Sequence, residues 1–363
     1  MKKNLFLGIA NLPYRVDLCN ELYERYGCDI FFLHEHLEDA CFSGAYCDGI
    51  GHFPVKYLET KKMLGRKVIR MSCLRRLLKE HCPDVIFVPE LSMTALCVLF
   101  VRWWTRGRYK VVSICDDNMD MLGGRDLSRF HTLARRFLPK WLDNLVLTNP
   151  DTVTWYRNRF GKGLLFPIIA DERRLRAEME QAVPRSERWL DNLGLRHRKI
   201  VLYVGRLIPV KNLERLLDAF SSVDYRAVLV LVGDGVEQEK LVRKAAGSPR
   251  ILFLGRLSGQ DLMAWYNLAD VLVLPSTQEA FGAVANEALI GGCPVVISSR
   301  AGAAFLVDGS RNGVIFDPES LPEMVAAVNR FLEGPVREGP VRLRDSLMPM
   351  EFLPTLDQML SQL

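Results

Sequence analysis

Two glutamates eight positions apart, Glu279 and Glu287, lie in the run Ser276-Thr-Gln-Glu279-Ala-Phe-Gly282-Ala-Val-Ala-Asn-Glu287-Ala. Ionised carboxylates accept hydrogen bonds from hydroxyl groups, so the pair is suited to holding polyols such as a sugar and a ribose. Upstream, Gly205-Arg206-Leu-Ile-Pro-Val-Lys211 places two cations in one short segment. Arg206 can make a forked contact to a phosphate and Lys211 supplies a compact point charge. Together they could stabilise a departing nucleoside diphosphate without a metal. Each residue alone has a plainer role. A glutamate in the first turns of a helix complements its dipole, and a single cation decorates a solvated surface.

The elements that must position these residues can be read from the same segments. Val271-Leu-Val-Leu-Pro275 has the continuous apolar character of a buried parallel strand, and the chain then passes Gly282 into helix formers up to Gly291-Gly292. A helix is therefore expected to begin near Gly282, with its free N–H groups forming an anion site for a diphosphate. Ile200–Val204 predicts a second strand, Gly205 a sharp turn, and Asn212 an N-cap. Leu213, Leu216, Leu217 and Phe220 form the apolar stripe of the following helix. Ligands of open α/β sheets bind beyond the carboxyl ends of strands, and all four charged residues fall just after such ends or in the helix that follows one.

The remaining pattern is α/β, two doubly wound Rossmann-like domains. Strand signals at 4–9, 29–33, 84–88, 110–114 and 144–147 alternate with helical ones in the first half. Alternation restarts at Lys199 with strands at 200–204, 227–232, 251–254, 271–274, 294–297 and 314–316. Residues 1–170 are assigned to a first domain and 171–348 to a second, the segment Phe166–Arg188 forming the crossing. The repeated Gly-Pro-Val-Arg at 334–337 and 339–342 reads as a loop. At 363 residues, 49% hydrophobic, the chain can bury two cores. The start, Met1-Lys-Lys-Asn-Leu-Phe-Leu-Gly, reads as a first strand and not as a signal peptide. Nine cysteines without a disulfide-scaffold spacing fit a reducing cytoplasm.

Charge is uneven. Residues 1–165 carry 25 Lys and Arg against 18 Asp and Glu, and the rest is slightly acidic. Two clusters, Lys56–Arg76 and Arg102–Lys110, could touch anionic lipid headgroups or form a solvated basic face. The apolar run Ala95–Trp104 is too short to span a bilayer and reads as a core helix. No nucleic-acid motif accompanies the positive charge. The set His34, His36, Cys41, Cys47 and His52 holds zinc-competent side chains without the tight spacing of a metal site, so no metal and no cofactor are expected.

The chain resembles the family 4 retaining nucleotide-sugar glycosyltransferases, which have the GT-B fold. Its carriers are Gly205-Arg206-x4-Lys211, Leu231-Val-Gly233-Asp-Gly235, Phe253-Leu-Gly255, Ala269–Ser276, Glu279-x7-Glu287 and Gly292-Cys-Pro-Val-Val296. The resemblance implies two domains facing a central cleft, with the last helix, about 349–363, returning to the first. It implies that Arg206 and Lys211 hold the diphosphate, Glu279 the donor sugar and Glu287 the ribose. By the same likeness Gly205 and the backbone of Phe281, Gly282, Ala283 and Val284 serve the phosphates, and Gly255, Arg256 and Leu257 the base. Many members have a Gly-Gly loop after the first strand where this chain has Gly8-Ile-Ala-Asn11, and a His-Asp pair where it has Cys115-Asp116. Asp116, Cys115, Asn11 and His34 are therefore the acceptor-side candidates, Asp116 alternatively belonging to a loop that caps the next helix. The implied reaction is retaining transfer of a sugar from a nucleotide diphosphate donor to a carbohydrate or lipid-linked hydroxyl, in surface polysaccharide or lipopolysaccharide synthesis. A sugar-nucleotide 2-epimerase of the same fold and a non-catalytic nucleotide- or glycan-binding module are the alternatives.

Overall fold

The structure, a computed structural model, describes residues 3–35, 51–63, 66–123 and 129–363. The chain divides into two compact units, Met1–Ile168 with Leu356–Leu363, and Ile169–Thr355.

In the first unit the strands are β1 (Asn4–Gly8), β2 (Cys28–Phe32), β3 (Lys56–Tyr57), β4 (Thr60–Met63), β5 (Arg66–Ile69), β6 (Val85–Pro89), β7 (Lys110–Cys115), β8 (Asn144–Leu147) and β9 (Leu164–Leu165). The helices are α1 (Val16–Tyr26), α2 (Met71–His81), α3 (Met93–Thr105), α4 (Met119–Leu122), α5 (Arg129–Phe137) and α6 (Pro150–Phe160). Seven strands form a parallel sheet in the order β3-β2-β1-β6-β7-β8-β9, and β4 and β5 form a separate antiparallel hairpin. Sequence periodicity missed β3 to β5 because Lys-rich segments lack an apolar alternation; they form short strands where a basic surface stretch was expected. The run Ala95–Trp104 does form a helix, α3, burying Ala95, Val98 and Val101 against the sheet.

The second unit opens with α7 (Glu172–Gln181) and α8 (Val183–Asn192), so the charged stretch assigned to a crossing is helical. Its strands are β10 (Lys199–Val204), β11 (Ala227–Val232), β12 (Ile251–Gly255), β13 (Val271–Leu274), β14 (Val295–Ser298) and β15 (Gly313–Phe316). The helices are α9 (Leu213–Phe220), α10 (Gln238–Ala245), α11 (Gly259–Leu268), α12 (Ala283–Ile290) and α13 (Leu321–Leu332). These strands pair in parallel as β12-β11-β10-β13-β14-β15. Every residue of β10, β11 and β13 is buried, which accounts for their continuous apolar sequences after Lys199 at the start of β10: helices cover both faces. The Gly-Pro-Val-Arg stretch is irregular, held by Arg337 donating to the Leu268 carbonyl at 2.8 Å and Arg344 donating to those of Ala269 and Tyr266 at 2.7 and 2.8 Å. A last helix, α14 (Phe352–Ser361), leads to the C-terminus. There Asp357 accepts from Arg25 and Tyr26 of α1, at 3.1 and 2.5 Å. No helix among the described residues is long and apolar enough to cross a membrane.

Candidate functional site

Strand order reverses between β10 and β13, which are neighbours in space though far apart in sequence. At such a switch point the loops leaving adjacent strands diverge and open a crevice at the carboxyl edge. Lys211 follows β10 and Glu279 follows β13, and their side chains form an ion pair at this edge. Both are largely shielded, with 12% and 14% of the side chain exposed. Ser276 donates a further hydrogen bond to Glu279 Oε2 at 3.3 Å.

The loops themselves are tied together. Thr277 N–H donates to the Val210 carbonyl at 2.9 Å, and the Asn212 amide donates to the carbonyls of Pro275 and Pro318 at 3.2 and 3.0 Å. Asn212 precedes α9 as expected, but it does not cap it. Its backbone is left-handed, φ 58°, and its side chain makes no hydrogen bond to the helix. The amide clamps the Lys211 loop to the end of β13 instead, a role that periodicity cannot reveal. Arg206 is exposed, its carbonyl accepting from the buried Tyr203 hydroxyl at 2.8 Å. The Tyr203 phenol is pushed up by burial and by Glu279 and eased by Arg206, so both charges bear on one group.

Glu279 continues into Phe281 and Gly282, where α12 begins. Gly282 adopts φ 94°, and a Cβ there would lie 2.6 Å from Leu274, so the turn off β13 needs glycine. Gly302 N–H donates to the Glu279 carbonyl at 3.2 Å and Ala303 N–H to that of Phe281 at 2.8 Å, fixing the loop against the segment after β14. Phe281 is buried; Gly282, Ala283 and Val284 are half-buried. The first N–H groups of α12 have no partner within the helix, which makes this end receptive to anions. Glu287, in the second turn, accepts from Tyr266 at 2.5 Å. Tyr266 is fully buried on α11, its phenol pushed well up first by burial and then by Glu287, so it remains a donor and orients the carboxylate. Sequence reasoning missed Tyr266; its only signal was a tyrosine within the largely apolar stretch Leu262–Leu268 of a helix.

Gly205 and Gly255 end β10 and β12, with Gly233 between them at the end of β11. Gly233 N–H donates to the Gly255 carbonyl at 2.7 Å, and a Cβ on Gly233 would lie 1.9 Å from the Gly205 carbonyl oxygen. Three adjacent strand ends are thus in backbone contact, and Arg256 and Leu257, exposed and half-buried, follow at the rim.

The acceptor-side candidates lie in the first unit, where the switch point falls between β1 and β6. Asp116, after β7, pairs with the buried Arg15, which follows β1. Its N–H donates at 3.2 Å to Glu90 Oε1, which follows β6. Glu90 has φ 52°, a left-handed conformation unusual outside glycine and asparagine. Burial first, then Asp116 and Asp117, push its carboxyl up to about 8. Sequence reasoning missed both Arg15 and Glu90, since nothing local marks either.

Asp116, Asp117 and Asn118 have separate roles. Asp117, 1% exposed, is held by the Arg135 guanidinium and by the Tyr156 hydroxyl at 2.7 Å, and Asn118 caps α4 by accepting from Met121 N–H at 2.9 Å. The cap is therefore Asn118, leaving Asp116 at the strand edge. Cys115 does not suit an acceptor role: it is fully buried at the end of β7, with burial pushing its thiol well above the ordinary range. His34, whose N–H donates to the Ile9 carbonyl at 2.9 Å, and Asn11 are half-buried in the loops after β2 and β1.

Glu90, Cys115 and Asp117 bring ligand-type atoms within 4.8 Å of one another. The Asp117 carboxylate of this group already serves Arg135 and Tyr156. Of the zinc-competent set, His36, Cys41 and Cys47 lie outside the described residues, and His52 meets Glu24 at 2.8 Å. Two cavities, of about 360 and 350 Å³, lie elsewhere, one under the last helix beside Tyr26 and Asp357, the other between Asp171 and Phe352, and neither includes a candidate residue.

Two Rossmann-like units built this way define a GT-B glycosyltransferase fold. The solved structure of Anabaena Alr3699/HepE in complex with UDP superposes with a TM-score of 0.71 at 20% identity, covering 91% of this chain and 90% of that one. The apo lipopolysaccharide outer core galactosyltransferase WaaB superposes with a TM-score of 0.68 at 16% identity, covering 99% and 100%. Residues 186–346 match the family model described as Glycosyl transferases group 1. It is 35% identical over 139 residues to the uncharacterized glycosyltransferase MJ1607 of Methanocaldococcus jannaschii, covering 37% of this chain and 36% of the relative. It is 34% identical over 164 residues to a GDP-mannose-dependent alpha-mannosyltransferase of Mycolicibacterium smegmatis, covering 45% and 42%. The chain thus spans less than half the length of these curated relatives.

Proposed function

We propose that this protein is a retaining glycosyltransferase of family 4 that moves a sugar from a nucleotide diphosphate donor to a hydroxyl without a metal ion. The observation that carries this reading is the Lys211–Glu279 pair at the β10/β13 switch point, beside the amino end of α12. Lys211 and Arg206 serve the diphosphate, whose charge grows as the bond to the anomeric carbon breaks. Glu279 receives sugar hydroxyls, and Glu287, oriented by Tyr266, receives the ribose. The acceptor oxygen bonds to the anomeric carbon on the face the diphosphate leaves, and its proton passes to a phosphate oxygen. Similarity to a GDP-mannose-dependent transferase and to a fold partner crystallised with UDP supports a nucleotide-sugar donor.

The acceptor is a carbohydrate or a lipid-linked glycan, bound near Asp116, in surface polysaccharide or lipopolysaccharide synthesis at the cytoplasmic side of an anionic membrane. The test is a thermal-shift panel of UDP- and GDP-sugars followed by transfer with the donor that stabilises most. A product with the donor's anomeric configuration, formed equally well with a chelator present, supports the proposal. Inversion, dependence on a divalent ion, or interconversion of the donor sugar with no transfer overturns it.

A further inference from the structure

Soluble proteins seldom leave large aromatic side chains in open solvent, and seldom cluster them there. The last turns of α3 do both. Phe100, Trp103 and Trp104 are 48, 76 and 59% exposed, and their rings are in contact, with Phe100 centroids 6.0 Å from Trp103 and 5.7 Å from Trp104. Arg102, on another side of the helix, donates to the Trp141 carbonyl at 2.8 Å and pairs with Asp143, and the Trp141 side chain is itself 69% exposed.

The two segments that carry these exposed rings hold charge of one sign. Residues 93–110 contain no Asp or Glu, and neither do 129–141. The Arg75 guanidinium lies 5.2 Å from the Trp104 ring centre, Arg106 and Arg108 are exposed just beyond α3, and Arg136 and Lys140 lie 5.7 and 5.6 Å from the half-exposed Phe137 ring.

We infer that this face of the first unit docks on an anionic lipid bilayer, with Phe100, Trp103 and Trp104 entering the headgroup layer and the flanking arginines meeting lipid phosphates. Tryptophan has an apolar body and one N–H donor, which suits the boundary between hydrocarbon and water. Cations around it add attraction to anionic headgroups. A second copy of the chain is a poor occupant: a two-fold contact would set Arg106 and Arg108 against themselves, and residues 93–110 hold no carboxylate to offset them. The face lies toward the amino ends of the strands, since α3 runs into β7 at Lys110, so docking leaves Asp116 and the carboxyl edge open. The inference rests on the membrane part of the proposed function and not on the transfer chemistry.

The test needs no nucleotide sugar. The full chain is sedimented at low salt with phosphatidylcholine vesicles and with vesicles of phosphatidylcholine and phosphatidylglycerol. The expected result is binding to the mixed vesicles only, weakened by salt. Trp103→Ser with Trp104→Ser is expected to lower the partition coefficient about tenfold or more. Arg106→Gln with Arg108→Gln should lower it about 25-fold, near fivefold for each cation removed. Circular dichroism checks that these surface variants keep the fold. Three results overturn the inference: wild-type protein that stays in the supernatant, binding that both variants retain, or a concentration-dependent dimer that the tryptophan variant abolishes.

Discussion

The two cations of the candidate site occupy different environments, and truncating each should separate structure from chemistry. Lys211 is paired with Glu279 where both side chains are only 12 and 14% exposed. Lys211→Ala leaves the Glu279 carboxylate with Ser276, at 3.3 Å, as its recorded side-chain donor. Stranding a fully buried charge costs about 3–5 kcal/mol; because water still reaches this pair, a loss of about 2 kcal/mol is expected. Adding Glu279→Gln removes the stranded charge and should restore most of that stability. Arg206 is exposed, so Arg206→Ala should change stability by no more than about 0.5 kcal/mol. If both cations stabilise a departing diphosphate, each single variant should lose about a hundredfold or more in kcat. Urea unfolding followed by fluorescence, beside a transfer assay on the same preparations, gives both quantities. An Arg206→Ala enzyme with unchanged kcat, or a Lys211→Ala enzyme whose lost activity returns with Glu279→Gln, would refute the reasoning.

Three further outcomes are expected. Tyr266→Phe removes the 2.5 Å donor to Glu287 and should raise KM for the nucleotide sugar severalfold at nearly constant kcat, a split that steady-state kinetics resolves. Gly233→Ala places a Cβ 1.9 Å from the Gly205 carbonyl oxygen at a φ of 139°, so a loss of about 4 kcal/mol or more, or insoluble protein, should follow; a soluble variant of wild-type stability contradicts the described strand-end contact. Glu90, its carboxyl raised to about 8 from 4.5, keeps a proton that the unfolded chain loses. Its contribution to stability is full below pH 4.5, drains by up to about 1.4 kcal/mol per pH unit as pH rises toward 8, and is gone above it. Glu90→Gln should flatten that decline, and urea midpoints from pH 5 to 8 that fall equally in both proteins would exclude it.

Continuous apolar runs such as Val271–Leu274 and Ala227–Val232 made the parallel sheets legible, because strands buried on both faces cannot alternate polar and apolar residues. The hairpin β4–β5 was not legible, since Thr60–Met63 and Arg66–Ile69 carry the charge of a solvated segment and owe their pairing to one another. In the second unit, Glu279, Glu287, Arg206 and Lys211 could be picked out because each follows a strand end, or sits in the helix behind one, within a recognisable run. Asn212 was misread: its place before α9 suggested a cap, and a left-handed backbone turned its amide toward Pro275 and Pro318 instead.

By itself the sequence determined which residues lie at strand ends, because hydrophobic periodicity and glycine placement are local properties of the chain. Only the tertiary structure decided which strand ends are neighbours. The order β11-β10-β13 joins Lys211 to Glu279 across 68 positions, and β1-β6-β7 joins Arg15 to Glu90 and Asp116. Strand order is set by how whole helices and sheets bury their apolar faces, and no short window of sequence carries that information.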